Sequence, residues 1–285
     1  MILVVGATGT LGGMITRRLL DRREQVRVLV RPNADFLELQ NAGAEPVLGD
    51  LKNPDSLGTA LEGVDVVVTT ANSAARGGED NPQTVDLQGN RNLIDAAGRA
   101  GVKQFIFVSA LGASPDSPIP FLAAKGNTEE HLRRSGMAYT ILAPNVFIEV
   151  WIPMIVGGAV QAGRPVTLAG EGRRQHAFVS MDDVAAFAVA AVNNPRALNQ
   201  YIAIGGPDAV SWRDVVGIFE RVTGQEIPVR AVTPGEPLPG LPATVSQLAA
   251  GMESYDSPVD MSETARAYGV ELTSVEEFVR RAYQQ

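Results

Sequence analysis

Along the first half of the chain, short continuous apolar runs alternate with longer stretches whose apolar residues recur at helical spacing. ILVV at 2–5 precedes 11–22, where Leu11, Ile15, Leu19 and Leu20 share one side of a helix. VRVLV ends at Val30, and FLELQNAG follows as a short helix stopped at Gly43. AEPVLGD is a third strand, 56–62 a helix with Gly63 beyond it, and VDVVVTT a fourth strand. A long helical pattern covers about 82–100, with Leu87, Leu93, Ile94 and Ala97 on one side. KQFIFVSA, PFLAAKGNTEEHLRRSG and AYTILAP then read as strand, helix and strand. Strands apolar on both faces belong to a covered parallel sheet, because each crossover helix packs back onto it. The pattern predicts an α/β fold with a doubly wound, Rossmann-type parallel sheet.

After Pro144 the alternation weakens. PVTLAG, QHAFVSM and QYIAIGG read as strands and 182–193 as a helix. Residues 211–223 form another, with Ser211 as N-cap and Gly224 as stop. The proline-rich stretch 233–242 is a surface loop, and TSVEEFVRRAYQ a last helix capped by Thr273 or Ser274. The expected organisation is a dinucleotide-sized sheet domain over 1–145 and a smaller C-terminal substrate lobe over 146–285. That lobe is interleaved with the last sheet strands at about 175–205.

Charge and composition narrow the function. The 285 residues carry 24 Lys and Arg against 32 Asp and Glu, a net charge of −8. An acidic chain without a basic run is not expected to contact nucleic acid directly or to bind anionic lipid. Cysteine is absent, which excludes disulfides, thiolate metal sites and a cysteine nucleophile. ILVV lacks a charged n-region and a cleavage site, and no apolar segment has spanning length, so a cytoplasmic protein without membrane contact is expected. The two histidines are isolated, so no metal site is expected. His131 falls on a solvated helix face, and His176 is either structural or a proton donor.

The strongest chemical signal is VVGATGTLGG. Gly6, Gly9 and Gly12 lie directly after the first strand and at the start of the first helix, with Ala7, Thr8, Thr10 and Leu11 between them. The first glycine permits a tight turn, the second lets a pyrophosphate approach the backbone, and the third lets helix and strand pack closely. The helix N-terminus presents N–H groups and partial positive charge to phosphates. An acidic residue about 20 positions on would bind the ribose of NAD. Here Arg31 stands nineteen residues past Gly12, at the end of the second strand. A guanidinium there favours a 2′-phosphate, so NADP(H) is expected ahead of NAD.

GATGTLGG, VLVRP, GDL, GVKQFIFVSALGA and KGNTEEHLRRSGMAYTILAPNVF resemble the NmrA-like branch of the atypical short-chain dehydrogenase/reductases over most of the chain. That branch includes NADPH-dependent quinone and dye reductases, isoflavone-reductase-like enzymes and redox-sensing regulators. The resemblance implies that Asp50 and Leu51 meet the adenine edge, and that Ala71, Asn72 and Ser73 line the cofactor. Ser109 and Asn145 join them, and Lys125 holds the nicotinamide ribose as the residue nearest to catalysis. It also marks Asp182 or Asp183 as an acidic position. Ala143 stands where the branch often has arginine, a departure at the loop after the sixth strand.

In many related reductases a tyrosine four residues before the lysine supplies a proton. Here that residue is Phe121. A placed acid contributes about 10²–10⁴-fold to ketone reduction. Without it, the expected substrates are apolar, conjugated molecules that take hydride and collect a proton from water: quinones, enones or dyes. The apolar stretch NVFIEVWIPMIVGG at 145–158 offers Phe147, Trp151, Met154 and Ile155 for such a pocket, or for an ordinary buried helix face. Two readings follow: an NADPH-dependent oxidoreductase, or a non-catalytic NADP(H)-binding sensor acting through a protein partner.

Overall fold

The computed structural model describes residues 1–74 and 76–284, the side chains of Ala243 and Thr244 excepted. The chain divides into two compact units, Met1–Pro144 with Val184–Ala203, and Asn145–Asp183 with Ile204–Gln285. The strands are β1 (Ile2–Val5), β2 (Val26–Val30), β3 (Glu45–Leu48), β4 (Val66–Thr69), β5 (Gln104–Val108), β6 (Ala138–Pro144), β7 (Val166–Ala169), β8 (Gln200–Ile204) and β9 (Val229–Val232). The helices are α1 (Thr10–Asp21), α2 (Leu37–Asn41), α3 (Leu57–Leu61), α4 (Asn90–Ala100), α5 (Pro120–Arg134), α6 (Ile148–Ile152), α7 (Gly158–Gln161), α8 (Met181–Ala191), α9 (Trp212–Thr223), α10 (Ala243–Met252), α11 (Ser262–Tyr268) and α12 (Val275–Tyr283).

The first unit is built on a seven-stranded sheet in the order β3-β2-β1-β4-β5-β6-β8. Pairing from β3 through β6 is parallel, with Val5 opposite Leu29 on one side and Thr69 on the other. This is the doubly wound α/β sheet that the apolar runs predict. Every residue of β1, β4 and β5 is buried, as expected of strands covered on both faces. Leu3, Val67, Phe105 and Ile141 are fully enclosed in one apolar cluster, each worth about 1.5–3 kcal/mol relative to an exposed side chain. QYIAIGG becomes β8 beside β6. Gln104 ties α8 to the sheet by donating to the Ala191 carbonyl at 2.9 Å and to Thr140 Oγ1 at 3.2 Å.

Two expected elements differ. The helical pattern over 82–100 is broken into a π-helical segment, Pro82–Gly89, and α4. The Asp86 carbonyl accepts from Thr128 Oγ1 at 2.8 Å and from Asn90 Nδ2 at 3.2 Å, so side chains compete for a carbonyl that a regular helix would use. QHAFVSM forms no strand. His176 bridges Val210 and Ser257 while Val179 bridges Phe147, so its backbone pairs with several segments instead of one ladder.

In the second unit β7 pairs with β9 in parallel. Ser211 caps α9 through a reciprocal box with Asp214, and Ser274 caps α12 with Glu277. Ile148, Ile152, Val156, Phe178, Val215, Phe219 and Val279 form the centre of its core. Among the described residues, no helix is long and apolar enough to cross a membrane, and no group of side chains is arranged to hold a metal ion.

Candidate functional site

The loop from β1 into α1 is shaped by two glycines that nothing larger can replace. Gly6 has φ +87°, and a Cβ on it would lie 2.6 Å from Thr70 Oγ1. A Cβ on Gly12 would lie 2.2 Å from the Gly6 carbonyl oxygen. The loop therefore folds tightly against the end of β4, and α1 follows Gly9 as its N-cap, with no side chain capping its first turn. Those first-turn N–H groups are a receptor for an anion.

In front of this turn lies an open groove lined by Gly6, Thr8, Arg31, Asp50, Leu51, Ala71 and others within the first unit. It follows the C-terminal ends of the strands, where parallel α/β sheets bind ligands. The remaining glycine-loop residues lie alongside: Ala7 is buried, Gly9 is the N-cap, and Thr10, Leu11 and Gly12 begin the helix. Asn72 folds back onto its own loop, donating to the Thr70 carbonyl at 3.0 Å and accepting from the Ala74 N–H at 2.9 Å.

Three cations converge on one carboxylate at the rim of the groove. Arg31 Nη1 stands 2.8 Å and Arg76 Nη1 3.4 Å from Asp80 Oδ2, and Lys52 Nζ donates to Asp80 Oδ1 at 2.7 Å. The hydrogen bond from Lys52, then that from Arg76 and the nearby Arg31 charge, hold the Asp80 carboxyl below its ordinary range despite partial burial. The same bond raises Lys52, with Asp50 and Glu79 adding to the effect. Lys52, Arg76 and Asp80 were not among the expected site residues. Their only local signal is the turn sequence RGGED and the position of Lys52 beside Asp50 and Leu51.

Ser73, Ser109 and Lys125 do not line this groove but meet in a buried polar cluster behind it. Lys125 is 3% exposed. Its Nζ donates to the Val108 carbonyl at 3.0 Å and lies 3.8 Å from Asp86 Oδ1, which has no hydrogen-bond partner. Asp86 Oδ2 accepts from the Ser73 N–H at 2.9 Å and from Ser73 Oγ at 2.6 Å. Burial pushes the Lys125 ammonium down, against the charges of Asp86 and Glu129. The rings of Phe107 and Phe121 sit 4.9 and 5.3 Å from Nζ. Ser109 Oγ donates to Glu129, which also takes Arg133 at 2.9 Å. The counter-charge at ion-pair distance from Lys125 is Asp86, with the Glu129 charge acting in the same sense.

Three other positions belong to the second unit. Asn145 Nδ2 donates to the Ser257 carbonyl at 2.9 Å and to Ser257 Oγ at 3.1 Å. His176 is 1% exposed, with Nδ1 2.7 Å from the same hydroxyl. Asp183 accepts from the N–H and Oγ1 of Thr273 at 2.8 and 2.9 Å. Ile148, Ile152 and Ile155, from the apolar stretch 145–158, are buried in that unit's core. His131 is partly exposed and meets Asp95 at 2.6 Å.

A glycine-rich turn running from a parallel strand into an uncapped helix, with cations beyond the neighbouring strand, defines a dinucleotide-binding protein. The profile of the NAD(P)H-binding family matches residues 6–195, and the chain belongs to that family, as the NmrA-like resemblance implies. It is 33% identical over 234 residues to the NAD(P)H azoreductase of Xenophilus azovorans, covering 82% of this chain and 77% of that one. It is 34% identical over 231 residues to the photosystem II assembly factor Ycf39 of Cyanophora paradoxa, covering 81% and 71%. In fold it is similar to an Escherichia coli NADPH-dependent quinone oxidoreductase solved with NADPH, at TM-score 0.84 and 23% identity over 99% of this chain and 100% of that one.

The residues present fit a dinucleotide. Gly6 and Gly12 leave no room for a Cβ, the first helical turn offers uncapped N–H groups, and three cations stand at the rim where a ribose phosphate would add negative charge.

Proposed function

We propose that this protein is an NADPH-dependent reductase that passes hydride to an apolar, conjugated, electron-poor acceptor such as a quinone, an enone or a dye. The observation that carries the reading is one groove lined by the glycine turn that leads into the uncapped α1, with Arg31 and Arg76 on its wall and Lys52 joined to them through Asp80. The α1 amides would hold the pyrophosphate, Asp50 and Leu51 the adenosine, and the rim cations a 2′-phosphate. The bound dinucleotide supplies the hydride. Lys125 acts as a positioning residue: it joins the end of β5, through the Val108 carbonyl, to Asp86, which in turn fixes Ser73 after β4. Phe121, its ring 5.3 Å from Lys125 Nζ, stands where related reductases have the proton-donating tyrosine, so the proposed acceptor is one that collects its proton from water. The 33% identity to an NAD(P)H azoreductase supports the reductase reading.

The 34% identity to an assembly factor, together with a lysine committed wholly to internal partners, favours a second reading: an NADP(H)-binding protein that acts through a protein partner. NADPH oxidation measured with quinones, enones, dyes and plain ketones decides between them. Turnover on the conjugated acceptors and little on ketones is the expected result. Tight NADPH binding with no turnover on any acceptor leaves the second reading standing.

A further inference from the structure

Asp80 is a single carboxylate held by three cations from three separate parts of the chain. Arg31 follows β2, Lys52 follows β3 and Arg76 follows β4, each at the C-terminal edge of the sheet. The acid is enclosed, its side chain 12% exposed, while the cations around it remain 32–46% exposed. Both carboxylate oxygens are engaged, Oδ1 by Lys52 and Oδ2 by the two arginines. One carboxylate thus serves three cations by direct contact, with the Asp50 and Glu79 charges acting on Lys52 from further off, and Arg31, Arg76, Asp50 and Asp80 all line the groove.

We infer that Asp80 is an internal stand-in for the cofactor's 2′-phosphate, a specificity-determining residue that NADPH must displace and NADH need not. The inference rests on the cofactor reading above. A phosphate monoester carries about −1.5 to −2 charge and three acceptor oxygens, a better match to three cations than one carboxylate. It needs the same N–H groups that now face Asp80, and two anions cannot share them without repulsion. Release of Asp80 is a side-chain event. The turn that carries it is closed by the Asp80 N–H donating to the Gly77 carbonyl at 3.3 Å, and the next residue, Asn81, is fixed by its capping box with Thr84. Arg31 directly follows β2, and Lys52 and Arg76 stand in the loops that follow β3 and β4. A 2′-hydroxyl adds no charge, so NADH binds with the Asp80 cluster intact. The carboxylate therefore lowers the preference for NADPH that the cations alone would impose.

The test is calorimetric titration of wild type, Asp80→Asn and Asp80→Glu with NADPH and NADH, and with 2′,5′-ADP and 5′-AMP to isolate the adenosine end. Breaking partly exposed ion pairs opposes phosphate entry by about 1 kcal/mol, so Asp80→Asn is expected to bind NADPH and 2′,5′-ADP about fivefold tighter. NADH and 5′-AMP change by less than about twofold. Asp80→Glu keeps the wild-type ratio. Asp80→Ser, small, neutral and suited to a turn, gives the same answer if the amide variant fails to fold. Weaker or unchanged NADPH binding in the neutral variants overturns the inference, since Asp80 would then organise the cations rather than compete with phosphate. Equal tightening of NADH and NADPH also overturns it, because that is the effect of removing any nearby negative charge. In both cases the reductase reading stands. If wild type binds neither dinucleotide, the cofactor reading falls and takes this inference with it.

Discussion

Replacing Lys125 by methionine isolates the buried charge pair behind the groove. Methionine keeps the unbranched stem between Phe107 and Phe121, so packing is nearly conserved and the change is the loss of the ammonium. Asp86 is fully buried, and its only cationic neighbour at ion-pair distance among the described residues is Lys125, 3.8 Å away. At an effective dielectric of about 20 that separation is worth about 4 kcal/mol. Removing one partner of a buried pair destabilises proteins by about 3–5 kcal/mol, which agrees. The Val108 carbonyl loses its donor as well. Lys125→Met is therefore expected to lose about 4 kcal/mol in urea unfolding, with a melting temperature lower by roughly 10 °C. Adding Asp86→Asn removes the stranded charge while leaving an oxygen to accept from Ser73, and should recover most of the loss. NADPH affinity of the double variant, measured by titration, should change by less than about threefold, because Nζ faces Val108 and Asp86 rather than the groove. A single variant within about 1 kcal/mol of wild type, or no recovery in the double variant, refutes the pairing. A large loss of NADPH affinity in a folded double variant refutes the positioning role and returns Lys125 to the cofactor ribose.

Other perturbations report on separate parts of the molecule. Gly12→Ala drives a Cβ to 2.2 Å from the Gly6 carbonyl oxygen; overpacking of this kind costs about 1–3 kcal/mol, and titration should show dinucleotide binding weakened more than tenfold or lost. Arg31→Ala removes one of three rim cations, so NADPH should weaken about tenfold while NADH changes little, as read from the ratio of the two dissociation constants. His176 is held neutral by burial, which lowers its proton affinity despite a backbone hydrogen bond at Met252 and the charges of Asp256 and Glu253. Its folded form takes a proton less readily than its unfolded form, so its contribution is complete above the ordinary histidine pKa of about 6.5 and is lost as pH falls below it. The unfolding free energy from urea titrations between about pH 7.5 and 5 should fall further in wild type than in His176→Gln, and parallel curves would show that this ring does not titrate on unfolding.

What the sequence determined by itself was whatever nearest neighbours along the chain encode. Continuous β-branched runs and 3.6-residue periodicity define β1 to β6 and their crossover helices, and Ser211, Gly224 and Ser274 mark helix ends by side chains that act within one turn. The glycines at 6, 9 and 12 announced a tight strand-to-helix turn because close backbone approach is a local property, and Arg31 stood out because strand and loop lengths fix its distance from them. Tertiary structure decided the rest. Asp80 meets Arg31 across 49 residues and Asp86 meets Lys125 across 39, and no periodicity records which charges will face each other once strands are ordered in a sheet. The π-helical break at 82–89 arises from Thr128, which approaches the Asp86 carbonyl only after α5 has packed. Ser73, Ser109 and Lys125 look alike in sequence to residues that line a cofactor. Their side chains turn inward because a buried carboxylate at 86 and another at 129 reward hydrogen bonds inside the fold more than contacts in an open groove.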